Sequence, residues 1–402
     1  MGPLQETRMR RRRVAAWMML AATLGLAACG SISRPSADLV ELSSPSAPTP
    51  LDAFRFIATD PVGSEAFLES WRVQRKPEAG DGVTVLAVSG GGANGAFGAG
   101  LLVGWTEAGT RPVFDIVTGV STGALMAPFA YLGPEWDDEL TTAYTDPDAA
   151  RLTEGQWGLL RRPSLYSDRS LRALVSKYVD GAMLAAIAAE HAAGRRLLVA
   201  TTNLDAQEEV IWDIGAIALA GQASGQGSAA LALFRDVLVA SASIPGVFPP
   251  VMMDTGAPGD EVAEMHVDGG VTTPFVLAPA TMSFWEPQGA LAPADLYVII
   301  NGEIEARRTI TKGATLPILM RSFDTMSKAD LRAHLLASVA FAERNGAALR
   351  YAAIPTELGA DSLAFDTESM GKLFEAGRAA GVAGTAFREV SPEDISDPAG
   401  PP

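Results

Sequence analysis

The chain is poor in the side chains that most often carry metal and redox chemistry. Its 402 residues hold three histidines and a single cysteine. One thiol rules out an internal disulfide. His191, His266 and His334 are scattered, and with one cysteine they give no ligand cluster, so no metal site and no cofactor is expected. Basic residues are also short, with 31 Lys and Arg against 47 Asp and Glu, for a net charge of −16. A nucleic-acid partner needs a basic footprint, and this balance argues against one. What the composition does supply is apolar: 48% hydrophobic against 19% charged, enough for a globular body with a sizeable core.

The N-terminus reads as an address. Arg8 and Arg10 to Arg13 precede an apolar run from Val14 to Ala28. That run is shorter than the ~20 residues a membrane span needs, but it suits the apolar region of a signal peptide. It closes on Leu26-Ala-Ala-Cys29, which resembles a bacterial lipobox, in which the cysteine is acylated and becomes the first mature residue. Cys29 being the only cysteine of the chain favours that reading, and Gly30 after it resembles the outer-membrane-sorted pattern. The expectation is a lipid-anchored protein of the bacterial cell envelope, at the outer membrane. Removing residues 1–28 takes away five Arg and Glu6, leaving 26 basic against 46 acidic residues, or −20. Anionic lipid would repel such a body, so the acyl chains of Cys29 rather than charge would hold it at the membrane. Residues 29–51 are rich in Ser and Pro and read as an extended tether. Residues 52–390 show no break and read as one domain, and 391–402 as a frayed tail. Nothing in the sequence sets the oligomeric state.

Within the body, Val83–Val88 is a buried strand that runs into Ser89-Gly-Gly-Gly-Ala-Asn-Gly95, with a helix to follow. Phe114–Thr118 is a second strand, ending in Gly119-Val-Ser-Thr-Gly123, and another helix begins at once. This strand–loop–helix repeat predicts an α/β fold with a mainly parallel central sheet flanked by helices. Residues 52–78 read as one or two capping helices, and Ala220–Ala230 as a Gly/Ser/Ala-rich loop able to cover a site. Helices are expected over 167–179, 181–193, 231–240, 316–345 and 367–380. Further strands are expected at 195–202, 209–213, 264–267, 295–301 and 349–354.

G-x-S-x-G at a strand-to-helix junction is the pattern of a nucleophile elbow. The turn lifts the Ser121 hydroxyl clear of the sheet, and Gly119 and Gly123 remove side chains that would block it. Gly90–Gly95 also fits the dinucleotide pattern G-x-G-x-x-G. That use needs an acid at the end of the second strand, where the elbow stands, while Asp115 lies at its start. Gly90, Gly91 and Gly92 instead expose successive N–H groups, which suits an oxyanion hole. With Ser121 as nucleophile the missing part is a base. Ser121, Asp268 and His334 follow the Ser…Asp…His order of the α/β-hydrolases, leaving a triad esterase open. His334 sits in a charged helical stretch, His266 shares a strand face with Asp268, and His191 ends an Ala-rich helix as a dipole partner.

The chain resembles the patatin-like phospholipases in three motifs taken in order: the loop Gly90–Gly95, the elbow Gly119–Gly123, and Asp268-Gly-Gly270. Ala240-Ser-Ala-Ser-Ile-Pro-Gly-Val-Phe-Pro-Pro250 also looks like that family's segment before its catalytic aspartate. The motif-bearing core covers about residues 82–283. The resemblance implies a patatin-like fold and a lipid acyl hydrolase using a Ser-Asp dyad, with Ser121 as nucleophile and Asp268 as base. It also places the amides of Gly91 and Gly92 in the oxyanion hole and requires no metal. One departure is Asn94, where the family often has Arg or Lys, which shifts the expected substrate from phospholipid toward lipid or simple ester.

Overall fold

The computed structural model describes residues 50–75, 82–146, 164, 166–254, 263–277, 294–305 and 309–390. The leader, Cys29, all but the end of the tether, and the tail lie outside them. A 3-10 turn leads into strand β1 (Arg55–Ile57) and helix α1 (Pro61–Gln74). Strand β2 (Val83–Val88), helix α2 (Gly95–Glu107), strand β3 (Ile116–Val120) and helix α3 (Thr122–Leu132) follow. Helices α4 (Asp137–Thr145), α5 (Arg169–Tyr178) and α6 (Gly181–Ala192) precede the hairpin β4 (Arg196–Asn203) and β5 (Glu208–Asp213). Next come α7 (Ile214–Ala223), α8 (Gly227–Ser241), β6 (Val251–Asp254), β7 (Ala263–Asp268) and β8 (Ala294–Ile300). Helix α9 (Thr315–Asn345), β9 (Ala348–Ala353), α10 (Thr367–Val382) and β10 (Arg388–Glu389) end the described chain.

The strands form one sheet in the order β1-β5-β4-β3-β2-β8-β9-β10, and β7 pairs both β4 and β6. The centre, β4-β3-β2-β8-β9, is parallel, and the pairings outside it are antiparallel. Central strands are apolar on both faces because both are covered. Leu86 and Val88 of β2 face the core with α2, α3, α6, α8 and α10. Val83, Val85 and Ala87 face the core with α1 and α9. Val88 stands opposite Gly119 on β3 and Ile299 on β8, so the carboxyl ends of three adjacent strands finish level. Open α/β sheets bind ligands at that edge.

Some of the acid excess is spent locally. Asp60, Asp180, Asp213 and Asp366 cap α1, α6, α7 and α10, each carboxylate accepting first-turn amides.

Two expectations are corrected. Residues 52–78 hold a strand as well as a helix, since Arg55–Ile57 pairs antiparallel with Trp212–Val210 at the sheet edge. Ala220–Ala230 is no cover loop: α7 runs through Ala223, α8 starts at Gly227, and only residues 224–226 turn between them. Both helices bury an apolar face in the core, Ile214 and Ile217 of α7 and Phe234, Val237 and Leu238 of α8, and that packing outweighs the loop-like Gly and Ser content between them.

Helices α2 and α10 touch backbone to backbone. A Cβ on Gly377 would collide with the Phe97 carbonyl, and one on Gly100 with that of Phe374. Gly377→Val is therefore predicted to destabilise the fold by about 2 kcal/mol or more, through overpacking. Gly371→Ala, on the same helix with open space around it, should gain up to about 1 kcal/mol from helix propensity. Thermal melts of the two variants should move in opposite directions.

Candidate active site

Ser121 sits between β3 and α3 with φ 56 and ψ −125, a region a non-glycine residue seldom enters. Such backbone costs about 1–3 kcal/mol and persists only where its surroundings hold it. The elbow glycines let neighbours close in: a Cβ on Gly119 would meet Gly123 O and Ala124, and one on Gly123 would meet Val88 O. The hydroxyl is thereby aimed across the sheet edge, where it donates to Asp268 Oδ2 at 2.6 Å. Asp268 ends β7, and β7 pairs with the end of β4 so that Asp268 stands opposite Thr201. Its other oxygen, Oδ1, accepts from Gly270 N at 2.7 Å, and its carbonyl accepts from Thr202 Oγ1 at 2.9 Å.

Both residues are buried, each 4% exposed. Burial pushes the Asp268 carboxyl up to about 7, although the bonds from Ser121 and Gly270 favour its charged form. A carboxylate with that affinity for a proton is a competent base near neutral pH.

The glycine loop lies against Ser121, since a side chain on Gly90 would meet the serine Cβ. Its position is fixed by Asn301, directly after β8. Asn301 N donates to Ser89 Oγ at 2.8 Å, Nδ2 donates to Ser89 O at 3.0 Å, and Oδ1 accepts from Gly98 N at 3.1 Å. One of the three expected oxyanion donors is removed here: Gly90 N already donates to Pro274 O at 3.2 Å. The Gly91 and Gly92 amides have no acceptor among the described residues. Gly92 holds φ 57 in a place where a Cβ would strike Ser362 O, so only glycine fits. Thr122 N opens α3 without an intrahelical acceptor, which adds a third donor beside Ser121.

The histidines stand apart from this pair. His334 is on α9, its Nδ1 3.1 Å from Asp330 Oδ1 and its ring edge-on to Phe275. His266 Nδ1 lies 2.9 Å from Thr201 Oγ1 and Nε2 2.9 Å from Glu264 Oε2. Burial alone would raise Glu264, but His266 and Arg55 hold it down at about 2. His266 thus braces β7 against β4 and does not reach the Asp268 carboxylate. His191 is corrected: burial and the nearby Arg196 guanidinium lower it to about 4. A neutral ring is no partner for a helix dipole.

Beside Ser121 opens an apolar pocket. Leu125, Phe129, Tyr144, Leu171, Val175, Leu238, Phe248, Phe365 and Met370 are among its walls, with Gly92, Ser121 and Thr122 at its polar end. Tyr144 OH donates to Thr122 O at 2.8 Å, tying α4 to the elbow helix. Asn94 is buried outside this lining, with its Oδ1 unpartnered. Sequence reasoning missed the pocket walls and Asn301. A polar residue closing the apolar strand Ala294–Ile300 was the one available signal for Asn301.

Residues 86–281 match the family model described as patatin-like phospholipase. The chain thus carries a patatin-like phospholipase domain. It is therefore a hydrolase of lipid carboxylic esters, and its substrate is a lipid. The crystal structure of VipD from Legionella pneumophila aligns over 79% of this chain and 70% of that one, at 14% identity and a TM-score of 0.33. No curated protein matches the patatin-like chain.

The buried carboxyl sets a stability signature. Asp268 holds its proton up to about 7 when folded, against about 3.9 unfolded. Its contribution is fully present below the unfolded value and is lost as pH rises through 7. Asp268→Asn cannot ionise, so its Tm is predicted to exceed the wild type by a few degrees at pH 8, with the gap closing by pH 4. Melts across that range check the sign.

Proposed function

We propose that the chain cleaves lipid acyl esters with a Ser-Asp dyad through an acyl-enzyme, as a phospholipase A or lysophospholipase-like enzyme. The 2.6 Å bond from Ser121 Oγ to Asp268 Oδ2 carries this reading. Asp268 takes the hydroxyl proton as Ser121 Oγ attacks the ester carbonyl. The amides of Gly91, Gly92 and Thr122 receive the oxyanion, in an apolar setting where such donors count for more than in water. The C–O bond then breaks, and the protonated Asp268 returns its proton to the leaving alkoxide. Water, deprotonated by the same carboxylate, releases the fatty acid. The pocket beside Ser121 takes the acyl chain, since past its polar end it offers mostly aliphatic and aromatic walls.

On a panel of phospholipid, lysophospholipid, acylglycerol and short-chain esters, Ser121→Ala and Asp268→Asn should each lower kcat by at least about a thousandfold. His334→Ala should leave kcat unchanged. A comparable loss in His334→Ala would return the triad esterase, and no turnover by the wild type on any ester would favour a non-catalytic acyl-binding lipoprotein.

For location, we propose a lipoprotein anchored by Cys29 in the outer membrane of a bacterial envelope, with residues 29–51 as tether and 52–390 as the catalytic body. The lipobox-like Leu26–Cys29 and the acidic body support this. Metabolic labelling with a palmitate analogue should mark the wild type and not Cys29→Ser, and equal labelling would contradict the anchor.

A further inference from the structure

The strained elbow is held by a side chain outside its own loop. Ser121 N donates to Ser241 Oγ at 3.0 Å, and Ser241 Oγ donates its proton to Ala200 O at 2.7 Å. The direction of this relay is forced, because an amide can only donate and a carbonyl can only accept. Ser241 is the last residue of α8 and is fully buried. Ala200 lies on β4 opposite Val120, and its neighbour Thr201 stands opposite Asp268. The relay therefore ties the nucleophile's backbone to the strand that also carries the base's strand.

We infer that Ser241 is a positioning residue for the nucleophile, an inference that rests on Ser121 being that nucleophile. By engaging the Ser121 amide it fixes the elbow so that Oγ stays 2.6 Å from Asp268 Oδ2. It also keeps the Ser121 N–H out of the oxyanion site and leaves that task to Gly91, Gly92 and Thr122. Ser241 does not line the acyl pocket, whereas its neighbour Ala242 does. Its loss should therefore touch the chemical step and spare substrate binding.

A matched control sits two residues on. Ser243 is equally buried, and its Oγ donates to Val239 O at 2.7 Å, a bond within the helix turn. Ser241→Ala is predicted to lower kcat at least about tenfold, by the same factor on short and long acyl esters, with KM unchanged. The pH midpoint of kcat, near 7, should not move, because the surroundings of the Asp268 carboxyl are untouched. Ser243→Ala should keep the wild-type kcat despite losing a buried bond. Ser241→Cys, which fills the same space with a weakly bonding sulfur, should fall between wild type and Ser241→Ala and decides the matter if the alanine variant does not fold. A wild-type kcat in the Ser241 variants, or an equal fall in Ser243→Ala, would overturn the inference. Ser121→Ala, assayed alongside, separates the failures: residual turnover there would sink the nucleophile itself, whereas a dead Ser121→Ala beside a normal Ser241→Ala would sink only the role of Ser241.

Discussion

One hydrogen bond, from Ser121 Oγ to Asp268 Oδ2 in a buried site, sets what the rest of this fold has to do. In water an aspartate is too weak a base to activate a serine. Burial raises its proton affinity, and the same burial makes its ionised form costly to keep. The site balances the two with few contacts. Gly270 N bonds one carboxylate oxygen and Ser121 the other, and no cationic side chain among the described residues pairs with either. A salt bridge there would hold the carboxylate in its charged form and take away its basicity.

The sheet order follows from that need. Ser121, the Gly90–Gly92 loop and Asn301 stand at the carboxyl ends of β3, β2 and β8, three adjacent parallel strands. Asp268 arrives on β7, which joins the sheet antiparallel at the end of β4. Backbone therefore has to pass very close to backbone around the elbow and between α2 and α10, and glycines make that possible. Helix α10 and the segment before it also supply Met370 and Phe365 to the pocket, so the close α2–α10 contact shapes the site as well as the core.

The parts legible in the sequence were those whose signal is local. Val83–Val88 is apolar on both faces, the elbow carries its glycines two residues either side of Ser121, and Asp268 is followed at once by two glycines. The rest depended on partners distant in sequence. Whether the Gly90 amide is free depends on Pro274, and the placing of the loop depends on Asn301. Ala220–Ala230 reads as a loop until Gly221 and Ala230, which close on one another where α7 meets α8, are seen. His191 reads as a helix-end cation until Arg196 and the surrounding burial are seen. The pocket is assembled from α3, α4, α5, α8 and the start of α10, and no motif spans those five segments.

The most direct test of the dyad is the rate at which a fluorophosphonate labels Ser121 as a function of pH. The account predicts a single rising limb with its midpoint near 7, a plateau above it, and loss of labelling across the range in Asp268→Asn. Labelling of Asp268→Asn at the wild-type rate, or a limb abolished by His334→Ala, would contradict it.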